Sequence, residues 1–582
     1  MPKSSVSNWL SPSFGLIALE GVACLVVLLQ IPGDPSSQVA FGYSLSRLAM
    51  AAVIAAGVVG AVVAAFLLRR QKPLAARVQK LLSSQAAIWV LLAASFAGLA
   101  FCLNWRYAAP ELQASLERIF PLGLFVTLAF IHLLLLALLD PGKERQRRIA
   151  LLACAILLNV FYVNATLHYS VINREYWLSD QEAYLQFAQE VHANGFPYSG
   201  DRVFMPAYPY LQSFFLDFNQ DTPALFAQAK SVNIFLSLLL LPALFLISRR
   251  YFNVYISFLF TSLVAFTLSI YKAAYVQPEI LFYSLNFVAF ILMLEILIRP
   301  RWHLAVLAGL TLAIAHLTKA SILPAVMLFV FAMLAQIVSP KSSRKFAGRA
   351  IASFALLLLV FVASLFPYLR ESKARYGQYF YNVTSTFYIW YDSWSEVRQG
   401  TRAHGDAVGW PDMPAEEIPS LQKYLREHTA GEITNRFVTG YVQQARNIAF
   451  TFALVSFPLI FLAAVVVLAA QRWPRTRSLI LAHPVLVAFV FAYFGAYLTL
   501  FAWYAPIAEF ADQRFTYGLY IPFLFCAFFA LQILSTSNSK KRKPEASVRW
   551  LPAFYSVVAI LLAADILLRV PIQLSAFHWF GK

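Results

Sequence analysis

The chain has 582 residues, 60% of them hydrophobic and only 13% charged, with a mean hydropathy of +0.65. A water-soluble protein of that composition would expose large apolar patches, so lipid is expected to be the solvent for much of the surface. The net charge of +18 excludes little by its size but much by its placement: the basic residues fall in short clusters between apolar runs, and no soluble domain presents them to a nucleic acid.

Apolar runs long enough to cross a bilayer, ~20 residues each, are expected near 12–31, 47–68, 85–104, 119–139, 149–167, 231–248, 252–271, 280–298, 303–318, 322–338, 350–367, 447–469, 480–501, 516–534 and 550–568. The fold class predicted is therefore an all-α polytopic membrane protein with about 13–15 transmembrane helices. The first run lacks a small-residue cleavage site and reads as a retained span. Placing the N-terminus in the cytoplasm and alternating sends every basic cluster to the cytoplasmic side, as the positive-inside rule requires. These clusters are Arg69, Arg70 and Lys72; Arg145, Arg147 and Arg148; Arg249 and Arg250; Arg299 and Arg301; Lys341, Arg344 and Lys345; Arg472, Arg475 and Arg477; and Lys540, Lys541, Arg542 and Lys543.

Residues 1–148 form an N-terminal module of about four spans. The only polar chemistry within these spans is Glu20 and His132, which read either as hydrogen-bonded structure or as an intramembrane site. Residues 535–582 hold a basic cytoplasmic linker and the last span. Cys24, Cys102, Cys154 and Cys526 lie inside apolar runs and read as small core residues, not as a disulfide framework or metal site.

Two long polar segments, 168–230 and 368–446, are predicted on the outer face, and polar segments of that length are usually functional. In the first, Tyr184, Phe187, Ala188 and Val191 share one helical face, which suits an amphipathic helix on the membrane surface. The second holds "RYGQYFYNVTSTFYIWYDSW" (375–394), whose aromatics, among them Tyr388 and Trp390, suit the headgroup boundary or stacking on sugar rings. "NAT" (164–166) and "NVT" (382–384) match the glycosylation sequon, a pattern that also arises by chance.

Five features distant in sequence fall at outer ends of spans: Asp180 and Glu182; Arg202 with "MPAYPY" (205–210); Glu279 in "YVQPEILFY"; Lys319 in "AHLTKASILP"; and Arg514 in "ADQRFTYGLYIP". Carboxylates at such a place can act as a general base on a hydroxyl or amine, or hold a divalent cation. Fixed cations there suit an anionic partner such as a lipid-linked phosphate. Each group also has a plain structural reading. Lys319 can be a snorkelling lysine, Arg514 can pair with Asp512 or Glu509, and Glu279 can be a helix N-terminal acid following Pro278.

The ordered set resembles the GT-C superfamily of integral-membrane glycosyltransferases, in particular the protein O-mannosyltransferase and lipid A aminoarabinose transferase group. The resemblance covers 149–534 and rests on "SDQEAYLQFAQEVHANGFPY", "RVFMPAYPYLQSFF", "QPEILFYSLNFVAFILM", "LAIAHLTKASILP" and "DQRFTYGLYIPFLF". It implies a catalytic membrane core over 149–534. It also implies inverting transfer of a sugar from a polyprenyl-phosphate-linked donor to a glycan, lipid or protein acceptor. Asp180 would be the base, with Glu279 and Glu182 as further catalytic carboxylates. Arg202, Lys319 and Arg514 would hold the donor phosphate. Tyr208, Tyr388, Trp390 and His404 are candidates for sugar or acceptor contact. The resemblance leaves a divalent cation, Mg or Mn, open. Where several relatives have Lys-Pro-Pro in the first outer loop, this chain has "FMPAYP", and it has no "WWDYG"-like stretch of the oligosaccharyltransferases. The compact loops and the absence of an obvious retention signal suit a bacterial inner membrane, with the site expected to face the periplasm. Two other classes share some features: a transporter or flippase of lipid-linked sugars, and a many-spanning glycan polymerase or ligase, the latter kept open by His404.

Overall fold

The computed structural model describes residues 7–30, 38–40, 42–104, 110–138, 143–177, 180–195, 200, 202–339, 344–450, 453, 455–508, 513–536 and 550–575. Lys341, Glu509, Asp512 and the basic run 540–543 lie outside the described residues. The described chain is almost wholly helical. One two-stranded antiparallel pair, Gln38–Ala40 with Tyr43–Ser44, is the only sheet among the described residues.

Thirteen described helices are long and apolar enough to span a bilayer, which makes this an all-α polytopic membrane protein. Two expected spans take other forms. The 303–318 run becomes Trp302–Thr318, an apolar helix of 17 residues. The 447–469 run is not one helix. A polar-faced helix, Ala430–Phe450, precedes it, and a new helix starts at Phe457, which Pro458 favours in its first turn. Ser456 caps that helix by accepting from the Leu459 amide at 3.4 Å. Phe457–Gln471 then meets Trp473–Ala482 at a bend of 98°.

Several helices outrun their apolar runs. Thr222–Ser248 begins well before residue 231, because Asp221 caps it by accepting from the Ala224 amide at 3.0 Å. Arg344–Tyr376 runs on past residue 367, so the start of the second polar segment is helix rather than loop. Glu144–Ile172 likewise extends into the first.

Contacts divide the protein into two units, one of Met1–Ala165 with Ser537–Ser575 and the other built on Thr166–Thr536. The division by contacts falls within the Glu144–Ile172 helix and at 536/537, and it groups the last span with the first ones. Within the first unit, Glu20 and His132 meet, with His132 Nδ1 3.1 Å from Glu20 Oε1. Cys24 and Cys102 are buried there as apolar residues.

In the second unit the helices Val254–Lys272, Glu279–Ile298 and Gln513–Ser535 are the most enclosed spans. A single π turn, Ala265–Ser269, interrupts the first of them, and the Thr267 and Tyr520 hydroxyls hydrogen bond beside it at 2.8 Å. Asn286 locks the other two together: its Nδ2 donates to the Gly518 carbonyl at 2.9 Å and its Oδ1 accepts from Tyr493 at 3.0 Å. The first polar segment folds as predicted around Gln181–Asn194, whose Tyr184, Phe187, Ala188 and Val191 are buried. Tyr184, Leu185 and Ala188 share a core with Tyr208, Phe226, Ala229 and Val276. The second polar segment has its own core of Tyr376, Tyr381, Val383, Phe387, Tyr388 and Val397, to which Ile507 contributes. Gly440 lets Ala430–Phe450 lie directly on Pro484–Ala508, since a Cβ there would run into the Ala502 backbone.

Candidate active site

Asp180 precedes the first turn of Gln181–Asn194, where an aspartate usually folds back to cap its own helix. Here it makes no such cap. Its carboxylate turns away, and Oδ2 accepts from Arg514 NH1 at 2.5 Å. Arg514 is the second residue of Gln513–Ser535, and its backbone carbonyl accepts from the Tyr283 hydroxyl at 2.6 Å.

Glu279 opens Glu279–Ile298 after Pro278 and is 1% exposed. Its Oε1 accepts from Lys319 Nζ at 2.8 Å and lies 3.9 Å from Arg514 NH1. Its Oε2 has no hydrogen-bond partner among the described residues. Lys319 sits in extended backbone at the end of Trp302–Thr318, just before the short turn Ala320–Ile322. Tyr497 pins that turn by donating to the Ser321 carbonyl at 2.7 Å. Four segments far apart in sequence therefore bring two carboxylates and two cations into one chain of ion pairs, Asp180–Arg514–Glu279–Lys319. A narrow crevice of about 300 Å³, counted with its open mouth, borders the two cations and is lined by Phe282, Tyr283, Asn286, Phe501 and Phe515 among others.

Two further residues belong here: Lys272, absent from the sequence-based candidates, and Tyr184, read there only as part of a helical face. Lys272 is 2% exposed and lies within electrostatic reach of Glu279, Arg514, Lys319 and Asp180. A lysine at the end of an apolar run was a signal that could have found it, because intramembrane charges are functional candidates by default. Tyr184 faces the same charges. Burial, and then the negative charges of Glu279 and Asp180, push its phenol well above the ordinary value, against the opposing effect of Arg514. Lys272 thus lies beside the two carboxylates and two cations of the ion-pair chain.

The other candidates are placed elsewhere. Arg202 is fully buried, with φ of 64° in the left-handed region, and does not join the cluster. Its guanidinium lies 3.7 Å from the centroid of the Tyr368 ring, and NH2 donates to the Tyr368 carbonyl at 3.3 Å and to Glu371 at 3.5 Å. Its own carbonyl accepts from Asn382 Nδ2 at 3.1 Å and from the Val383 amide at 3.3 Å, so Arg202 braces the two polar segments together. Glu182 is half-buried and accepts from Gln186 on its own helix at 3.5 Å. Tyr208 is buried edge-on to Tyr184, at 5.5 Å between centroids, and its hydroxyl accepts from Gln212 at 2.8 Å. Tyr388 is buried and donates to Asp406 at 3.4 Å. Trp390 packs on Tyr424 and Trp503. His404 is exposed, and its Nδ1 lies 2.8 Å from the Gly400 carbonyl.

The donor set does not suit a divalent cation. Asp180 and Glu279 each already hold a fixed cation, with Arg514 between them, and no group of three His, Cys, Asp or Glu side chains converges among the described residues.

The fold and this cluster define an integral membrane protein with a partly buried, mixed-charge cluster bordered by a narrow aromatic crevice. Comparison with protein-family models, with curated proteins and with solved structures returns no match.

Proposed function

We propose that this protein is an inverting glycosyltransferase of GT-C type. It moves a sugar from a polyprenyl-phosphate-linked donor to a hydroxyl or amine of an acceptor, at the extracytoplasmic face of a bacterial inner membrane. The observation that carries this reading is the chain of ion pairs from Asp180 through Arg514 and Glu279 to Lys319. Lys319 and Arg514 bind the donor phosphate, and the aromatic crevice takes the groups adjoining it. As the phosphate draws Arg514, the Asp180 carboxylate is released to accept the acceptor's proton. The acceptor oxygen or nitrogen attacks the anomeric carbon. The bond from that carbon to the phosphate oxygen breaks, and its electron pair leaves on the phosphate, where the two cations stabilise it. Glu279 pairs with both cations and so holds them on one side of the phosphate, with Lys272 close by. Arg202 braces the two polar segments and is not part of the donor site.

The test is transfer by Asp180→Ala and Asp180→Asn variants that express and insert as wild type does. Abolished transfer supports the base assignment, and wild-type turnover rejects it.

A further inference from the structure

The stretch Ala273–Gln277 connects two spans with irregular backbone, and all of it is buried at 3% exposure or less. Irregular backbone at the end of a membrane helix pair must find partners within the protein, because no lipid can hydrogen bond to it. Side-chain amides supply them. Asn173 Nδ2 donates to the Ala274 carbonyl at 2.8 Å. Asn233 Nδ2 donates to the Tyr275 carbonyl, and to that of Gln277 at 3.3 Å. Gln181 Oε1 accepts from the Val276 amide at 3.1 Å and from Asn173 Nδ2 at 3.0 Å, while its Nε2 donates to the Glu175 carbonyl at 3.3 Å.

Gln181 is therefore bonded to three places at once: the end of the Glu144–Ile172 helix, the turn leading to Asp180, and the loop leading to Glu279. It is fully buried and adjoins Asp180, whereas Val276 lies three residues before Glu279. Lys230 secures the first of these places, with Nζ donating to the Ser170 and Asn173 carbonyls at 2.5 Å. A glutamine suits this role because its amide accepts from two donors and donates to a carbonyl without adding charge beside a site whose balance matters.

We propose that Gln181 is a positioning residue, an amide clamp that fixes the Asp180 carboxylate relative to Glu279 and the cations it holds. The role rests on the transferase reading. It touches neither donor nor acceptor, so its loss leaves phosphate binding intact and slows the chemical step.

The test uses full-length protein in nanodiscs, as wild type, Gln181→Met and Gln181→Glu. Turnover is read as undecaprenyl phosphate released from undecaprenyl-phosphate hexoses, with native membranes supplying acceptor. Binding is read with undecaprenyl phosphate alone by tryptophan fluorescence. Gln181→Met loses about ten- to a hundredfold in turnover, the scale of a small misplacement of reacting groups, while undecaprenyl phosphate affinity stays within about twofold. Gln181→Glu keeps both acceptor contacts but loses the donor to Glu175 and gains a charge. Its turnover relative to wild type rises as pH falls and the carboxyl regains a proton to donate. Wild-type turnover in Gln181→Met overturns the proposal, as does a parallel loss of turnover, binding and thermal stability, which marks plain packing. If wild type releases no undecaprenyl phosphate from any donor, the transferase reading fails on its own, and amide hydrogen exchange then decides the clamp. Faster exchange over 273–277 in Gln181→Met, with the rest of the chain unchanged, upholds it; unchanged exchange there overturns it.

Discussion

Two charged nodes in the second unit use similar side chains to different ends. In the second polar segment, Asp392 accepts from Arg436 NH1 at 2.8 Å and from the Tyr424 hydroxyl at 2.9 Å, and its other oxygen lies 2.7 Å from His428 Nε2. Arg436 is further held by the Trp503 and Ile389 carbonyls and lies 4.2 Å from the Trp503 ring centroid. Bonds there are redundant, and the Asp392 side chain keeps 44% exposure. In the Asp180–Arg514–Glu279–Lys319 node, Glu279 is buried with one oxygen unsatisfied among the described residues, and a crevice borders the cations. A buried carboxylate oxygen without a hydrogen-bond partner is costly. On the function proposed above, the first node is a fastener and the second a receptor.

Substitutions can break this contrast. The largest effect expected is at Asp180, where Asp180→Asn lowers transfer by about a hundredfold to ten-thousandfold, the range for a general base, with thermal stability near wild type. Next, Lys319→Ala and Arg514→Ala each weaken polyprenyl phosphate binding by about tenfold to a hundredfold, as expected for a charged hydrogen bond; unchanged affinity in both removes their role. Lys319→Ala also removes the hydrogen bond to Glu279 Oε1 and leaves that carboxylate with Arg514, 3.9 Å away, as its ion-pair partner, a loss of about 1–3 kcal/mol. Adding Glu279→Gln recovers that stability without recovering affinity, which a melting curve beside a binding isotherm would reveal.

At the fastener the expected effects fall on stability alone. Asp392→Ala costs about 1–2 kcal/mol, discounted for its exposure, and leaves phosphate affinity unchanged. His428 adds a pH dependence. Burial alone would lower the imidazole's pKa, but the bonds to the Tyr424 carbonyl and the Asp392 carboxylate outweigh it and raise it. A raised pKa means the contribution is fully present below the unperturbed value of about 6.5 and is lost as pH rises through the folded value. Proteolysis of the 377–429 region should accordingly quicken across that window, and His428→Gln should flatten the profile. The smallest effects are at Glu182 and His404: Glu182→Gln and His404→Ala should leave transfer within about twofold of wild type.

Most of the spans were legible because each depends on its own stretch of chain: an apolar run of sufficient length satisfies its backbone internally wherever it sits. The failures were local too. The 447–469 run hid a helix start at Ser456–Pro458, and Asp221 carried the Thr222–Ser248 helix past its apolar limit. The site was legible in part. Asp180, Glu279, Lys319 and Arg514 stood out as charges at span ends, and they meet. Glu182 and Arg202 looked equivalent to them and are not, since Glu182 lies two residues along a helix from Asp180 and so faces another way, and Arg202 turns to Tyr368 and Glu371.

The amino-acid sequence by itself determined that this chain lives in a membrane and which kinds of charged group it carries at the ends of its helices. Only the tertiary structure decided which of those groups face one another, because ion pairing between segments as distant as residues 180 and 514 depends on how whole helices pack and rotate. That packing, through Gln181, Asn233 and Asn286, sets the rotation and register that no single segment encodes.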